Sequence, residues 1–236
     1  MEYPHDYPTM TRKTILAPEE YYHIYNRGVD KRVIFLDTAD HQYFLALLYL
    51  SNSRKSFIVS NIAKTHPREE FFDVDREDHL VAIGAYCLMP NHFHILIKEN
   101  VEGGTSLFMQ KLSTAYTMYF NAKYERTGAL FQGTFKAKHI DNDRYLKYLY
   151  AYIHLNPAKM VDDGWKNRKI TNKKKVHEHL SQYLFSSYVE YTGVKRPENA
   201  ILSPEQFPKY FKNKTDFEGM ITEWHTFDGA ELKEKL

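Results

Sequence analysis

The chain has 236 residues, with 32 Lys and Arg against 30 Asp and Glu, and a formal net charge of +2. This length suits one domain with a sizeable core, alone or with an appendage. No apolar run approaches the roughly 18 residues that span a bilayer, and the first ten residues lack a signal-peptide pattern. Because Cys87 is the only cysteine, no internal disulfide forms, and we expect a cytoplasmic protein with no membrane partner.

Apolar periodicity predicts eight elements between residues 21 and 155. In chain order they are a strand at 21–29, a helix at 38–50, strands at 56–63, 79–89 and 92–99, a helix at 105–124, a strand at 134–140 and a helix at 143–155. Polar residues suited to helix capping precede the first and last helices, namely Asp37 or Thr38 and Asp141 or Asp143. Pro157 ends the last helix, because a residue before proline disfavours helical conformation.

This order of elements predicts an α+β fold, in which an antiparallel sheet carries helices mainly on one face. We expect residues 1–19, which hold three prolines, to be a flexible arm, and residues 20–160 to be the main domain. Residues 161–236 are predicted to form a basic C-terminal extension. Six of the ten residues from Lys166 to Lys175 are basic, which suits either the tracking of phosphates or an ordinary solvated segment.

The sharpest local feature is the pair His92 and His94 in the sequence MPNHFHILI. Alternate residues of a strand share a face, so both imidazoles point one way while Phe93, Ile95 and Ile97 point to the core. Two neutral imidazoles can converge on one metal ion and leave room for phosphate and water. A His-x-His pattern alone also fits surface or hydrogen-bonded histidines.

A second constellation lies on the last predicted helix, whose sequence is DNDRYLKYLYAYIHLNP. Residues four apart share a helical face, which aligns Tyr148, Tyr152 and Asn156. A phenol has an ordinary pKa near 10, so it needs a nearby cation or base to act as a nucleophile. The amide oxygen of Asn156 is a candidate third ligand for Mg²⁺ or Mn²⁺. The alternatives are a tyrosine-rich packing helix and an asparagine that only ends it.

Five segments in this order resemble REP-associated tyrosine transposases, which belong to the HUH single-tyrosine transposases of bacterial insertion sequences. The segments are NRGVDKRVIF, AYCLMPNHFHILI, GALFQGTFKAKHI, YLKYLYAYIHLNPAKM and LFSSYVEYTG. The resemblance covers about residues 21–193 and implies a ferredoxin-like or RRM-like antiparallel sheet. It implies that His92 and His94 bind a divalent metal, that Tyr152 is the nucleophile and that Asn156 is an additional ligand. The family often has Gln where this chain has the shorter Asn156.

The resemblance also implies a reaction on single-stranded or hairpin DNA. Tyr152 attacks a phosphodiester, forms a 5′-phosphotyrosine bond and releases a 3′-hydroxyl, and a hydroxyl then attacks that bond to rejoin strands. Insertion-sequence members are commonly dimers, so a homodimer is a candidate assembly. Polar and basic side chains near the predicted turns and on the predicted strand at 134–140 are candidate DNA contacts, namely Arg27, Lys31, Arg32, Gln132, Lys136 and Lys138.

Two other functions fit the same residues. One is a transposase-derived DNA-binding protein without catalysis, against which the intact His92, His94 and Tyr152 argue. The other is a metal-dependent phosphodiesterase that uses water as its nucleophile and leaves Tyr152 structural. A covalent protein–DNA adduct separates strand transfer from both.

Overall fold

A computed structural model describes residues 14–57, 59, 61–62, 67–164 and 170–223 of the chain. Its strands are β1 (Tyr21–Arg27), β2 (Val81–Met89), β3 (His92–Glu99) and β4 (Lys136–Ile140). Its helices are α1 (Thr38–Leu50), α2 (Gly104–Lys123), α3 (Asp143–Leu155), α4 (Lys173–Gln182), α5 (Tyr188–Tyr191) and α6 (Lys214–Glu223). Short 3₁₀ helices lie at Val29–Lys31, Arg68–Asp73, Asn156–Met160, Pro197–Ile201 and Pro204–Gln206. No helix in these ranges combines the length and apolar character that a membrane span requires.

The four strands form one sheet in the order β2-β3-β1-β4, and every neighbouring pair is antiparallel. Helix α1 connects β1 to β2 and helix α2 connects β3 to β4, which gives the ferredoxin-like arrangement. The predicted α+β class and antiparallel sheet are therefore confirmed. Strands β1 and β3 occupy the centre, where each is hydrogen-bonded on both sides and holds its side chains in fixed positions.

Helices cover both faces of the sheet, whereas the sequence predicted helices mainly on one face. Helices α1 and α2 pack on the face that carries Ile24, Phe93 and Ile95. Helix α3 packs on the opposite face against Ala85 and Leu96. The reason lies in β2, where all nine residues are buried, because a strand that is apolar on both sides must be covered on both sides.

The segment after residue 160 completes this second core. The buried cluster that contains α3 and the sheet also includes Val176 and Leu180 of α4, Phe207 after the 3₁₀ helix Pro204–Gln206, and Phe217 of α6. The boundary predicted at residue 160 thus falls within a shared core. Residues 1–13 of the predicted arm, positions 165–169 of the basic run and residues 224–236 lie outside the described residues.

The strand predicted at 56–63 is wrong for the residues that the structure describes there. Residues 59, 61 and 62 are helical, and Val59 is buried in the same core as α1 and α2. A short apolar run does not distinguish a strand from a buried helical turn. The N-cap of α3 also differs from the prediction, because the side chain of Asn142 accepts the hydrogen bond from the Tyr145 backbone N–H.

Asp40 joins α1 to α2 through a buried carboxylate, and its replacement tests the packing of this face. The carboxylate accepts hydrogen bonds from the backbone N–H of Leu36 and from the side chains of Tyr119, Lys123 and Tyr124. Burial opposes the charge, but these donors, led by the Lys123 ammonium, hold the pKa of Asp40 below its ordinary value.

We expect Asp40→Asn to lower the free energy of unfolding by about 2–3 kcal/mol, because the amide cannot replace a buried charge partner. Urea unfolding at neutral pH measures this loss, and the exposed Asp30→Asn is the control. Because the folded-state pKa is depressed, the contribution of Asp40 is present above the ordinary Asp pKa and is lost as the pH falls. An Asp40→Asn protein as stable as the control would contradict the expectation.

Candidate functional site

A cleft of about 670 Å³ opens beside the central strands, near the C-terminal end of α3. Its basic lining residues are Arg27, Lys31, Lys136 and Lys159. No carboxylate occurs among the described residues that line it, so the cleft concentrates positive charge without internal compensation. Such an arrangement favours a ligand with several negative charges.

His92 and His94 lie side by side in this cleft on β3, as strand alternation predicts. Their ring centroids are 5.0 Å apart and the rings are nearly perpendicular, at 88°. Phe93, between them in sequence, is buried in the core on the other face. The apolar residues therefore anchor the strand while both imidazoles face the cleft.

The hydrogen bonds of His92 define its tautomer. Its Nδ1 lies 2.6 Å from the side-chain oxygen of Asn91, which can only accept, so Nδ1–H is the donor. The Lys159 Nζ lies 2.9 Å from Nε2 and donates to its lone pair. Burial, with the nearby charges of Lys159 and Arg27, lowers the pKa of His92 to about 3. His92 is consequently a neutral imidazole whose lone pair points into the cleft.

His94 is more deeply buried, with 6% of its surface exposed. Its Nδ1 lies 2.9 Å from Nε2 of His23, a residue on the neighbouring strand β1. Burial is the largest cause that holds the pKa of His94 well below its ordinary value, and electrostatic repulsion from His23, His92 and Lys159 adds to it. The second imidazole is therefore also neutral, which is the form that binds metal ions.

Tyr152 is the tyrosine of α3 that faces the histidines. Its ring centroid lies 5.4 Å from that of His94, and its side chain lines the cleft. Tyr150 points to the other side of the helix, where its ring packs against Phe207 and Tyr191. Tyr148 is 2% exposed. Tyr152 is therefore the tyrosine of this helix whose side chain faces the histidines in the cleft.

The environment of Tyr152 disfavours its phenolate form. Burial raises the pKa of Tyr152 to about 12, with a smaller contribution from Tyr148, and the Asn156 amide opposes this rise. A phenol with this pKa is a weak nucleophile at neutral pH. Its activation requires a cation near the attacked phosphate or the phenol oxygen.

Asn156 and Lys159 follow Tyr152 on the turn that ends α3. The Asn156 side-chain N–H donates to the Tyr152 carbonyl at 2.8 Å, and Asn156 is the C-cap of the helix. Its side-chain oxygen accepts from Lys159 Nζ at 3.3 Å. The Lys159 ammonium thus bridges the side-chain oxygen of Asn156 and His92 Nε2. The position of Asn156 is compatible with both roles predicted for it, as the residue that ends the helix and as an oxygen ligand.

The two imidazole nitrogens and the amide oxygen at this site suit a divalent cation that is bound with modest affinity. Within the described ranges, no three or more His, Cys, Asp or Glu residues cluster as metal ligands. A metal here would use the imidazoles of His92 and His94 and the oxygen of Asn156, with water and phosphate as further ligands. The fit requires the Lys159 side chain to leave His92 Nε2, because one lone pair cannot serve both cations.

Four of the predicted DNA contacts, Arg27, Lys31, Gln132 and Lys136, line the cleft. Arg27 donates from Nε to the side-chain oxygen of Gln132, which fixes both at its rim. Arg32 is exposed outside the cleft lining, and the Lys138 ammonium lies 5.5 Å from the centre of the Tyr145 ring. The structure therefore does not place Arg32 and Lys138 in this cleft.

Sequence reasoning missed five residues of the site, which are His23, Tyr25, Asn26, Asn91 and Lys159. His23 and Tyr25 alternate on β1 and so share a face. Only the pairing of β1 with β3 brings that face to His94. Lys159 lies three residues after Asn156, a spacing that places both side chains on one helical turn.

The fold and the cleft together define a class, a ferredoxin-like α+β domain with a cationic, histidine-lined site suited to a polyanion. The family follows from the sequence, because the model of the IS200-like transposases matches residues 40–156, about half of the chain. This match includes His92, His94, Tyr152 and Asn156, and the chain belongs to this family of DNA transposases.

The structure is similar to the solved structure of a REP-associated tyrosine transposase bound to a REP hairpin. The TM-score is 0.48 and the identity 15%, over 79% of this chain and 88% of the other. No curated protein matches the sequence.

Proposed function

We propose that the protein cleaves and rejoins single-stranded DNA near hairpins through a covalent bond to Tyr152. The observation that carries this proposal is the position of Tyr152, whose ring centroid lies 5.4 Å from that of His94. Both side chains lie in a cleft that is lined by four Lys and Arg side chains and by no described carboxylate. Membership of the IS200-like transposase family supplies DNA as the substrate class. A second copy of the chain is a proposed partner, as in dimeric insertion-sequence relatives.

In the proposed first step, the Tyr152 oxygen attacks the scissile phosphorus and the bond from phosphorus to the 3′ oxygen breaks. The phenol loses its proton and the departing 3′ oxygen gains one, which leaves a 5′-phosphotyrosine bond and a free 3′-hydroxyl. In the second step a 3′-hydroxyl attacks that bond, restores a phosphodiester and returns the phenol. The number of ester bonds is conserved, so no nucleotide cofactor is consumed.

The cleft residues, and Asn156 beside the cleft, have distinct proposed roles in this reaction. His92, His94 and Asn156 would hold Mg²⁺ or Mn²⁺, which stabilises the developing charge on the phosphate when bound. Arg27, Lys31 and Lys136 contact the DNA backbone, and Gln132 contacts DNA beside Arg27. Since burial raises the pKa of Tyr152 to about 12, the phenol stays protonated until the substrate and cations are in place.

A label placed on either side of the cleavage point tests the proposal. Hairpin-bearing single strands are incubated with the protein and Mn²⁺ and then separated under denaturing conditions. We expect the fragment on the 3′ side of the break to remain bound to the protein and the 5′ fragment to be released with a free 3′-hydroxyl. Release of both fragments would favour the water-using phosphodiesterase, and binding without cleavage would favour the catalytically silent DNA-binding protein.

The cationic rim yields a separate prediction about affinity. We expect Lys31→Gln with Lys136→Gln to weaken binding to single-stranded DNA at low salt, without preference for sequence. Each lost phosphate contact should reduce the slope of log affinity against log salt by about 0.7. Fluorescence anisotropy from low to moderate salt measures this slope. Lys195→Gln, which removes an exposed lysine outside the cleft, is the control, and equal slopes in both variants would contradict the placement of the DNA.

A further inference from the structure

His23 forms a direct imidazole–imidazole hydrogen bond beneath the cleft. Its Nε2 lies 2.9 Å from His94 Nδ1, and the two rings are stacked with centroids 5.0 Å apart. His23 is 2% exposed, and its other nitrogen, Nδ1, is buried without a hydrogen-bond partner. A buried histidine with one unsatisfied nitrogen costs stability, so its contact with His94 calls for a functional explanation.

The bond between two neutral imidazoles has two alternative proton arrangements. In the first, His94 donates from Nδ1 and keeps the lone pair on Nε2. In the second, His23 donates from Nε2, and the His94 proton moves to Nε2 and blocks that nitrogen. Only the first arrangement lets His94 bind a cation through the nitrogen that is not engaged by His23. Both arrangements leave His23 Nδ1 without a partner, so that cost does not choose between them.

We infer that His23 is a positioning residue that accepts the Nδ1–H of His94 and thereby directs the Nε2 lone pair of His94 into the cleft. This inference rests on the metal site of the proposed function. Metal-ligating histidines commonly donate their second N–H to a neighbouring acceptor, which fixes tautomer and ring orientation. His92 has such an acceptor in Asn91, and His23 supplies the corresponding contact for His94.

The strand arrangement and the charges of the cleft support this assignment. His23 and Tyr25 lie on the β1 face that carries the site, and Tyr25 is the cross-strand partner of His94. His23 is therefore the diagonal cross-strand neighbour of His94, and its strand β1 is hydrogen-bonded to β3 on one side and to β4 on the other. On the cleft side, the Lys159 ammonium lies 2.9 Å from Nε2 of the neighbouring His92, and a cation in the cleft favours a lone pair over an N–H directed towards it.

Metal binding by three variants tests the inference without reference to activity. Mn²⁺ titration followed by electron paramagnetic resonance gives the affinity of the whole protein. We expect His23→Leu to weaken Mn²⁺ binding by about 10–100-fold, and His23→Gln, which keeps an acceptor oxygen, to recover most of it. The control is His41→Leu, which removes a buried histidine from α1 on the opposite face of the sheet. His23→Leu with wild-type Mn²⁺ affinity would overturn the inference.

The tautomer of His94 provides a second readout, which does not depend on bound metal. In ¹⁵N-histidine-labelled, metal-free protein, long-range proton–nitrogen correlation spectra distinguish a protonated from an unprotonated ring nitrogen. We expect the His94 proton on Nδ1 in the wild type and in His23→Gln, and a mixture of tautomers in His23→Leu. A wild-type proton on His94 Nε2 would overturn the role of His23. Failure of the wild type to bind Mn²⁺, with the proton on Nδ1, would instead overturn the proposed metal site.

Discussion

Tyr152→Phe is expected to abolish the covalent protein–DNA adduct and to lower strand cleavage by about a thousandfold or more, because it removes the nucleophile. The substitution deletes one oxygen and keeps the ring, whose centroid lies 5.4 Å from that of the His94 ring. The lost hydroxyl interacts with the Asn156 amide, so we expect the free energy of unfolding to fall by no more than about 1 kcal/mol and the affinity for hairpin-bearing single strands to be unchanged. Denaturing electrophoresis of labelled DNA measures the adduct, and anisotropy measures the affinity.

Two neighbouring tyrosines serve as matched controls for this substitution. Tyr25 also lines the cleft, with its ring centroid 6.0 Å from that of His94, and it is the strongest competing nucleophile by position. Tyr148 is buried one turn before Tyr152. We expect Tyr25→Phe and Tyr148→Phe to retain the adduct. An adduct that survives Tyr152→Phe and disappears in Tyr25→Phe would transfer the nucleophile to β1.

The fold was predictable where periodicity and capping agree. The alternation in 92–99 and the capping residue Asp37 predicted β3 and α1 correctly. The run 56–63 was not assigned correctly, because a short apolar segment is compatible with a strand and with a buried helical turn. Helix α3 of the second layer was predicted, but α4 and α6 were not, because their apolar residues, such as Leu180 and Phe217, lie in short segments far apart in the sequence.

The site was predictable where its residues lie on one element. His92 and His94 follow from strand alternation, whereas Tyr152 was selected among many tyrosines by family resemblance. His23 and Tyr25 became visible only with the β1–β3 register, since no local pattern in β1 specifies which strand lies beside it. Lys159 was missed because its role depends on the orientation of the turn after α3, which places its ammonium 2.9 Å from His92 Nε2.

His92→Ala is expected to remove most metal-dependent cleavage, with a loss of about a hundredfold or more, while DNA binding persists. The imidazole offers its Nε2 lone pair to the cleft, and its removal leaves His94 and Asn156 as an incomplete donor set. The rim cations Arg27, Lys31 and Lys136 are untouched. Binding that is independent of metal should therefore remain, which separates loss of chemistry from loss of the substrate.

The same experiment with His94 requires a more conservative change, because His94 is buried and bonded to His23. His94→Ala leaves a cavity and an unpaired His23 nitrogen, so a fall in stability would accompany any loss of activity. His94→Gln keeps a polar group of similar reach and is the better variant. His139→Ala, which removes an exposed histidine of β4 paired with Glu20, controls for the loss of an imidazole.

We expect excess chelator to reproduce the His92→Ala phenotype in the wild type and to add nothing to the His92→Ala variant. Cleavage by His92→Ala that is still stimulated by Mn²⁺ would contradict the assignment, because the metal would then act at a site that does not require His92.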